Sequence, residues 1–368
     1  SSRFHPDHRW GNFWSLGAAW IINRENWFNA SWVNMLKVKA SYGSQGNDNL
    51  GSTAERQYLY ADYYSIANDG NGGVTQTFFR KGNEDITWET NANLNIGVEF
   101  GFWDNRLSGG IDFFNRKTTD MLFELATPME SGYTSIFTNV GDMINRGFEI
   151  ELNADLIRTK NLVWDFSLNM THYKNKLTHL PEQYKNNTTA DGKHIGRWQS
   201  TKFLTEGESV FSFYLPTYAG VDKETGKSLW YTYQEDEKTG EKKRVTTDQY
   251  SVASADGREM QGDALPDLYG GFNTSLRCYG IDFSMAFTYQ IGGQILDQGY
   301  MRYMTSPMGT STGNNYHHDL LKAWTPENSG SNIPRFVYGD QYMASASSRF
   351  LTDASYLNIQ NITLGYTL

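Results

Sequence analysis

The dominant pattern along the chain is an alternation of period two, the repeat of a strand with one apolar face. Phe148, Ile150, Leu152, Ala154 and Leu156 are interleaved with Glu149, Glu151, Asn153 and Asp155. Leu162, Trp164, Phe166, Leu168 and Met170 alternate with Asp165, Ser167, Asn169 and Thr171. Ile281, Phe283, Met285, Phe287 and Tyr289 alternate with Asp282, Ser284, Ala286, Thr288 and Gln290. Leu94, Ile96, Val98 and Phe100 repeat the pattern against Asn93, Asn95, Gly97 and Glu99, and weaker copies run through Leu36–Tyr42 and Leu268–Cys278. Leu357 and Ile359 share one parity while Ile362, Leu364, Tyr366 and Leu368 take the other. That switch predicts a β-bulge near Gln360–Asn361, or a passage there from rim into membrane.

These runs exceed the usual strand length of ~5–6 residues. Runs of about 10–14 residues, tilted by ~40°, would cross a hydrocarbon band ~25 Å tall. One strand alone does not distinguish a wet barrel lumen from the outer face of a soluble sandwich. The connections do. Short links fall at Trp103–Arg106, Arg158–Asn161 and Tyr279–Gly280, and long ones at about 45–86, 117–143, 175–265 and 297–349. Short turns on one rim and long loops on the other mark an all-β, antiparallel transmembrane barrel with long extracellular loops. A structureless loop of ~90 residues would count against a compact soluble domain.

Composition agrees. Aromatics make up 15% of the 368 residues, rich in Tyr and Trp, which suit a wall touching both oil and water. Pro is scarce, at 8, as continuous strand pairing requires. No stretch of 18 apolar residues offers a membrane helix, but a barrel hides its apolar positions at every second residue. A net charge of −9 argues against a nucleic-acid partner. Cys278, the single cysteine, excludes an internal disulfide and reads as a small apolar residue at a strand end. The chain opens on SSRFHPDHRW, without the features of a secretory leader.

Several stretches resemble the SusC-like TonB-dependent transporters of Gram-negative outer membranes. They are Leu36–Asn47 (LKVKASYGSQGN), Ile86–Phe114 continuing to Lys117–Leu122 (KTTDML), Asn139–Leu152 (NVGDMINRGFEIEL), Ala219–Gly226 (AGVDKETG), Gly262–Phe272 (GDALPDLYGGF) and Arg349–Tyr366. The resemblance implies a 22-stranded barrel enclosing a plug, paired with a SusD-like surface lipoprotein. It implies import of oligosaccharides or peptides, energised by TonB, with no cofactor. Residues 1–368 would then form a partial barrel of roughly nine to eleven strands, without plug, TonB box and final strands. An open sheet of that kind leaves edges that lipid cannot satisfy.

No HExxH, GxSxG or P-loop is present. His5 and His8 read as a solvated loop. His317 and His318, adjacent on an extended chain, are expected to point apart, so no shared metal with Asp319 is expected. Glu149 and Glu151 lie roughly 7 Å apart along a strand, a spacing glycosidases use, but read better as hydrated lumen residues. Asp155, Asp165, Asn169 and Asp282 join them as expected lumen-facing positions. Asn169–Thr171, Asn273–Ser275 and Asn361–Thr363 match N-x-S/T only because polar residues recur at every second position. Glu235–Lys243 reads as a solvated turn. Trp198, Tyr214, Trp230, Tyr231 and Tyr316 lie outside the strand columns and are candidate contacts to ligand or lipoprotein. Trp103 and Trp164 at strand ends read as interface-belt rings. The competing readings are a secreted β-rich glycan-cleaving enzyme, which needs shorter strands and a catalytic cluster, and a structural barrel or adhesin.

Overall fold

The computed structural model describes residues 1–49, 57–127, 129–133, 135–236, 238–308 and 315–367. Leu368, the last residue of the predicted apolar parity, lies outside them, as does Glu237 of the charged turn.

Nine strands form one sheet: β1 (Trp14–Ile21), β2 (Val33–Asn47), β3 (Glu89–Phe102), β4 (Leu107–Thr119), β5 (Asp142–Arg158), β6 (Leu162–His179), β7 (Leu268–Cys278), β8 (Ile281–Ile291) and β9 (Tyr356–Tyr366). Each pairs with its neighbour in chain order, an up-and-down meander. β2 to β6 run to 13–18 residues each, about 44–61 Å at ~3.4 Å per residue, longer than a hydrocarbon band and long enough to emerge from it.

Register decides what each face carries. Rows run Lys39↔Gly97↔Asp112↔Glu149↔Thr171 and Val38↔Val98↔Ile111↔Ile150↔Met170 across β2 to β6. One face is therefore polar and the other apolar across the strands, the arrangement that fixes register most strongly. Three grooves along the sheet all line the polar face, which is thus the concave one.

The expected short links are present. At β7–β8, Tyr279 and Gly280 both have positive φ (48° and 84°), the two-residue turn whose twist matches antiparallel strands. Trp103, Asp104 and Asn105 all take the left-handed region between β3 and β4. In β9 the side chain of Gln360 donates to Thr288 Oγ1 of β8, while Asn361 reaches Thr363 Oγ1 and lines a groove with Ser284.

By contacts the chain divides into two units. The first, Ser1–Pro181 with Gly270–Thr288 and Asn358–Leu368, holds most of the long sheet. A buried apolar cluster in it gathers Phe4, Leu59, Ile86, Leu122 and Phe137, all in or beside connecting segments, with Trp88 packed against it. The second, Glu182–Tyr269 with Tyr289–Leu357, consists mainly of the two longest connections. These are not structureless. They contain a five-stranded sheet ending in Ser212–Pro216 and Arg258–Asp263, and a three-stranded sheet of Tyr218–Val221, Ser228–Glu235 and Lys242–Thr247. Two hairpin turns in that sheet share one chemistry. Asp222 and Asp236 each accept two backbone N–H groups at Oδ1, and Gly226 and Gly240 supply positive φ at the turn's end.

Candidate functional site

The polar face of the sheet carries every residue expected to face a lumen. Glu149, Glu151 and Asn169 line a groove of about 560 Å³ with Lys39, Glu99 and Asp112. Asp155 and Asp165 line a second of about 370 Å³ with Ser167, Asn273 and Ser284. Asp282 is held on the same face, accepting from Thr367 Oγ1, one residue past β9, at 3.5 Å.

Lys37, Lys39, Glu99 and Asp112 compensate one another across strands. Lys39 Nζ lies 3.0 Å from both Glu99 Oε1 and Asp112 Oδ1, and Lys37 Nζ lies 3.0 Å from Glu99 Oε2. Lys39 reaches Asp112 by passing over Gly97, which stands between them in the row; a Cβ there would collide with both side chains. Asp155 and Asp165 face each other directly after a register shift, a like-charge pair that would be destabilising alone. Arg158 Nη1 donates to Asp155 Oδ2 (2.9 Å) and Ser275 Oγ to Asp165 Oδ2 (3.2 Å), which relieves it. Around these charges the face is dense in neutral hydrogen-bonding groups, among them Asn95, Asn153, Asn169 and Thr171. The surface is wet and polar, and it presents pairs and amides rather than a catalytic constellation.

At the short-turn rim, Trp32 stacks on Trp103 (centroids 5.8 Å) and Trp27 meets Trp20 (6.2 Å), all four about half exposed. Trp164 donates its indole N–H to Thr274 Oγ1 at 2.8 Å. Trp103 and Trp164, the rings expected at strand ends, thus stand at this rim beside further tryptophans.

The five loop aromatics separate. All but Tyr316 sit on short strands of the second unit rather than in irregular loops. Tyr214 and Trp230 are 5% and 3% exposed, so their rings pack inside, against Phe203 and Tyr250. Tyr231 has one face covered by the Arg244 guanidinium at 3.6 Å. Trp198 is 47% exposed with Arg258 over its ring at 4.4 Å, and Tyr316 meets Phe336 edge-on. Trp198, Tyr231 and Tyr316 keep surface for a contact.

The expectation that His317 and His318 point apart is corrected. Their rings lie 4.6 Å apart, and His317 Nδ1 and His318 Nε2 approach Asp319 at 3.4 and 3.2 Å. The rule for extended chains fails because His317 caps a 3-10 turn over His318–Lys322. Asp319 also accepts from Tyr300 and Lys322, so the cluster is an ion-paired cap whose carboxylate already has its donors. The Lys322 ammonium, ahead of the opposing effect of desolvation, holds the Asp319 carboxyl below its ordinary pKa.

Sequence reasoning missed a buried charge in the second unit. Glu259, 16% exposed, accepts a two-pronged contact from Arg244 (Nε to Oε1 2.9 Å, Nη2 to Oε2 2.8 Å). It also accepts from Tyr233 (2.6 Å) and Thr217. Burial pushes its pKa up, but these bonds outweigh burial and hold it below the usual carboxylate range. Tyr233 is pushed up to about 12 by desolvation and then by its bond to Glu259. Only the stray hydrophilic residues in KKRVTT and REMQGD signal this clamp in sequence, and neither names the other.

A family model described as "TonB dependent receptor-like, beta-barrel" matches residues 1–277. The chain belongs to this family. It is 30% identical over its whole length to TonB-dependent receptor P3 of Formosa agariphila, covering 36% of that protein. To TonB-dependent receptor SusC of Bacteroides thetaiotaomicron it is 28% identical, again along the whole chain, covering 35%. Among solved structures, the RagAB peptide transporter superposes with a TM-score of 0.82 at 28% identity, over 99% of this chain and 38% of that one. The RagAB peptide importer in its open-open state gives 0.78 at 29% identity. The chain thus spans just over a third of the length of these relatives. As a TonB-dependent receptor barrel, it belongs to an outer-membrane transport family rather than an enzyme family. The nine-stranded meander is a stretch of such a barrel's wall.

Proposed function

We propose that this barrel wall serves a TonB-dependent importer of SusC type that takes up oligosaccharides together with a SusD-like surface lipoprotein. The observation that carries the reading is the concave polar face, where Lys37 and Lys39 pair with Glu99 and Asp112 across strands, Glu149 and Glu151 add carboxylates, and amides and hydroxyls surround them. Such a surface hydrates a neutral polar oligomer and offers it many hydrogen-bonding groups along its path. The exposed ring of Trp198 offers an apolar face of the kind that stacks on a sugar. A peptide is the second reading, favoured by the likeness to the RagAB peptide transporter. Mechanistically, ligand settles between lipoprotein and barrel, and TonB acts on the plug to open the path.

The test is an affinity pull-down of the full-length protein from detergent-solubilised outer membranes, with mass spectrometry of both proteins and small molecules. A stoichiometric SusD-like lipoprotein supports the paired importer, and co-purified glycan or peptide decides the cargo. Recovery alone, with no lipoprotein, would overturn the reading.

A further inference from the structure

The convex face of the sheet changes character near the long-loop rim. Below, it is apolar: Phe113 stands opposite Phe148, and Ile111 opposite Ile150 and Met170. One row further up, Asn115, Arg146 and Lys174 stand opposite one another, and in the next row Lys117, Ile144 and Lys176. Lys117, Arg146, Lys174 and Lys176 are all exposed. Directly opposed like charges destabilise a sheet, so Arg146 beside Lys174 calls for a counter-charge. The chain supplies little. Arg146 donates to the neutral Asn115 Oδ1 (3.2 Å), Lys117 lies 3.6 Å from Asp142, and Lys174 and Lys176 make no ion pair among the described residues. Glu149 and Glu151 point to the other face. Four cations thus share one carboxylate.

Their height is defined. Lys174 and the belt residue Trp164 lie on the same strand and face, ten residues apart. That is about 34 Å along the strand at ~3.4 Å per residue, and about 26 Å along the membrane normal at a tilt of ~40°. One hydrocarbon thickness separates them. With Trp164 at the short-turn interface, the cations stand at headgroup level in the opposite leaflet.

We propose that Lys117, Arg146, Lys174 and Lys176 form a docking site for the phosphate-bearing headgroup of an outer-leaflet lipid, whose acyl chains lie on the apolar rows of Phe113 and Phe148 beneath. The occupant is an amphiphile because charge and apolar surface adjoin on one face: a free anion would use only the upper half, and an acidic protein only the part above the membrane. The inference rests on the barrel's membrane placement and not on its cargo.

The experiment is native mass spectrometry of the full-length protein in neutral detergent, titrated with dioleoyl phosphatidic acid or with dioleoyl phosphatidylcholine. Phosphatidic acid is expected to bind about tenfold or more tightly, and the triple change Arg146→Gln, Lys174→Gln, Lys176→Gln to remove that preference. The single change Lys174→Gln, at an exposed position that alters no packing, is expected to weaken phosphatidic acid about threefold or more. A loop control, Lys242→Gln with Lys243→Gln, should leave it unchanged. Equal affinity for the two lipids, or undiminished phosphatidic acid binding in both the triple and single variants, overturns the site. Full displacement of phosphatidic acid by millimolar inorganic phosphate would make it a site for a free anion and refute the lipid.

Discussion

The Glu259 clamp is the contact on which the second unit's sheets should depend most, and Glu259→Gln isolates its charge. The amide keeps the shape of the side chain but only one of the two oxygens that accept from Tyr233 and Thr217, the other position becoming an N–H donor. It loses the carboxylate that receives the Arg244 fork and leaves a guanidinium with one oxygen acceptor in place of two. Hydrogen bonds to a charged partner contribute about 1.5–3 kcal/mol net, and Arg244, 42% exposed, recovers part of its loss from water. A cost of about 1.5–2.5 kcal/mol follows, or roughly ten- to seventyfold faster local opening. The assay is amide hydrogen exchange on the full-length protein in detergent, read as protection factors in Lys242–Thr247 and Arg258–Asp263. The pH dependence has a definite sign. Glu259 has a lowered folded pKa, so its contribution is present above the unfolded carboxylate value of ~4.3 and is lost as pH falls through the folded one. Tyr233, raised to about 12, contributes below the unfolded value of ~10 and loses that contribution between there and about 12. Protection in the parent protein should fall below about pH 4, and in Glu259→Gln that acid limb should flatten. Unchanged protection in the variant, or an acid limb of the same size, would refute the clamp.

Two further outcomes concern the long sheet. Gly147→Val should prevent assembly of the barrel, because any Cβ there meets the His172 carbonyl and Tyr173 of the neighbouring strand; loss of heat-modifiable migration on gels reports it, and normal migration would contradict the β5–β6 register. A double-mutant cycle of Lys39→Met and Asp112→Asn, followed by urea unfolding in detergent, should give a coupling of about 0.5–1 kcal/mol, modest because both groups are about a third exposed; additive effects would mean that the bridge over Gly97 contributes nothing.

How much of this was legible in the chain depended on contrast between neighbouring positions. Phe148–Leu156 sets large apolar groups against carboxylates and announced its strand, face and partner face at once. Trp14–Ile21 is a strand of the same sheet, but Gly17, Ala18 and Ala19 erase the contrast at its centre, and the period alone did not reveal it. Leu107–Thr119 blurs in the same way at Gly109 and Gly110, and it was reached through resemblance. The loops hid their order for a different reason. Strands such as Lys242–Thr247 are short and polar on both faces, and their stability comes from partners far along the chain, Glu259 above all. Among the aromatics, Tyr214 and Trp198 read alike in sequence, and only packing separates a buried ring from an exposed one.

The basic rows make the same point with a consequence for function. Arg146, Lys174 and Lys176 fall on the apolar parity of their strands, so a reading by period takes them for the place where the strand gives out. The register shows that β5 and β6 stay paired through all three and reach Asp142 and His179 after an irregularity past Leu177. The alternation therefore ends before the strand does, and the interval between the two ends is where the barrel leaves oil while its backbone still needs a partner. In that interval the outward face carries four cations and, among the described residues, one carboxylate that pairs with them, Asp142. The proposed lipid headgroup would supply the remaining counter-charge, and the wall that looks unfinished in sequence would be completed by its lipid.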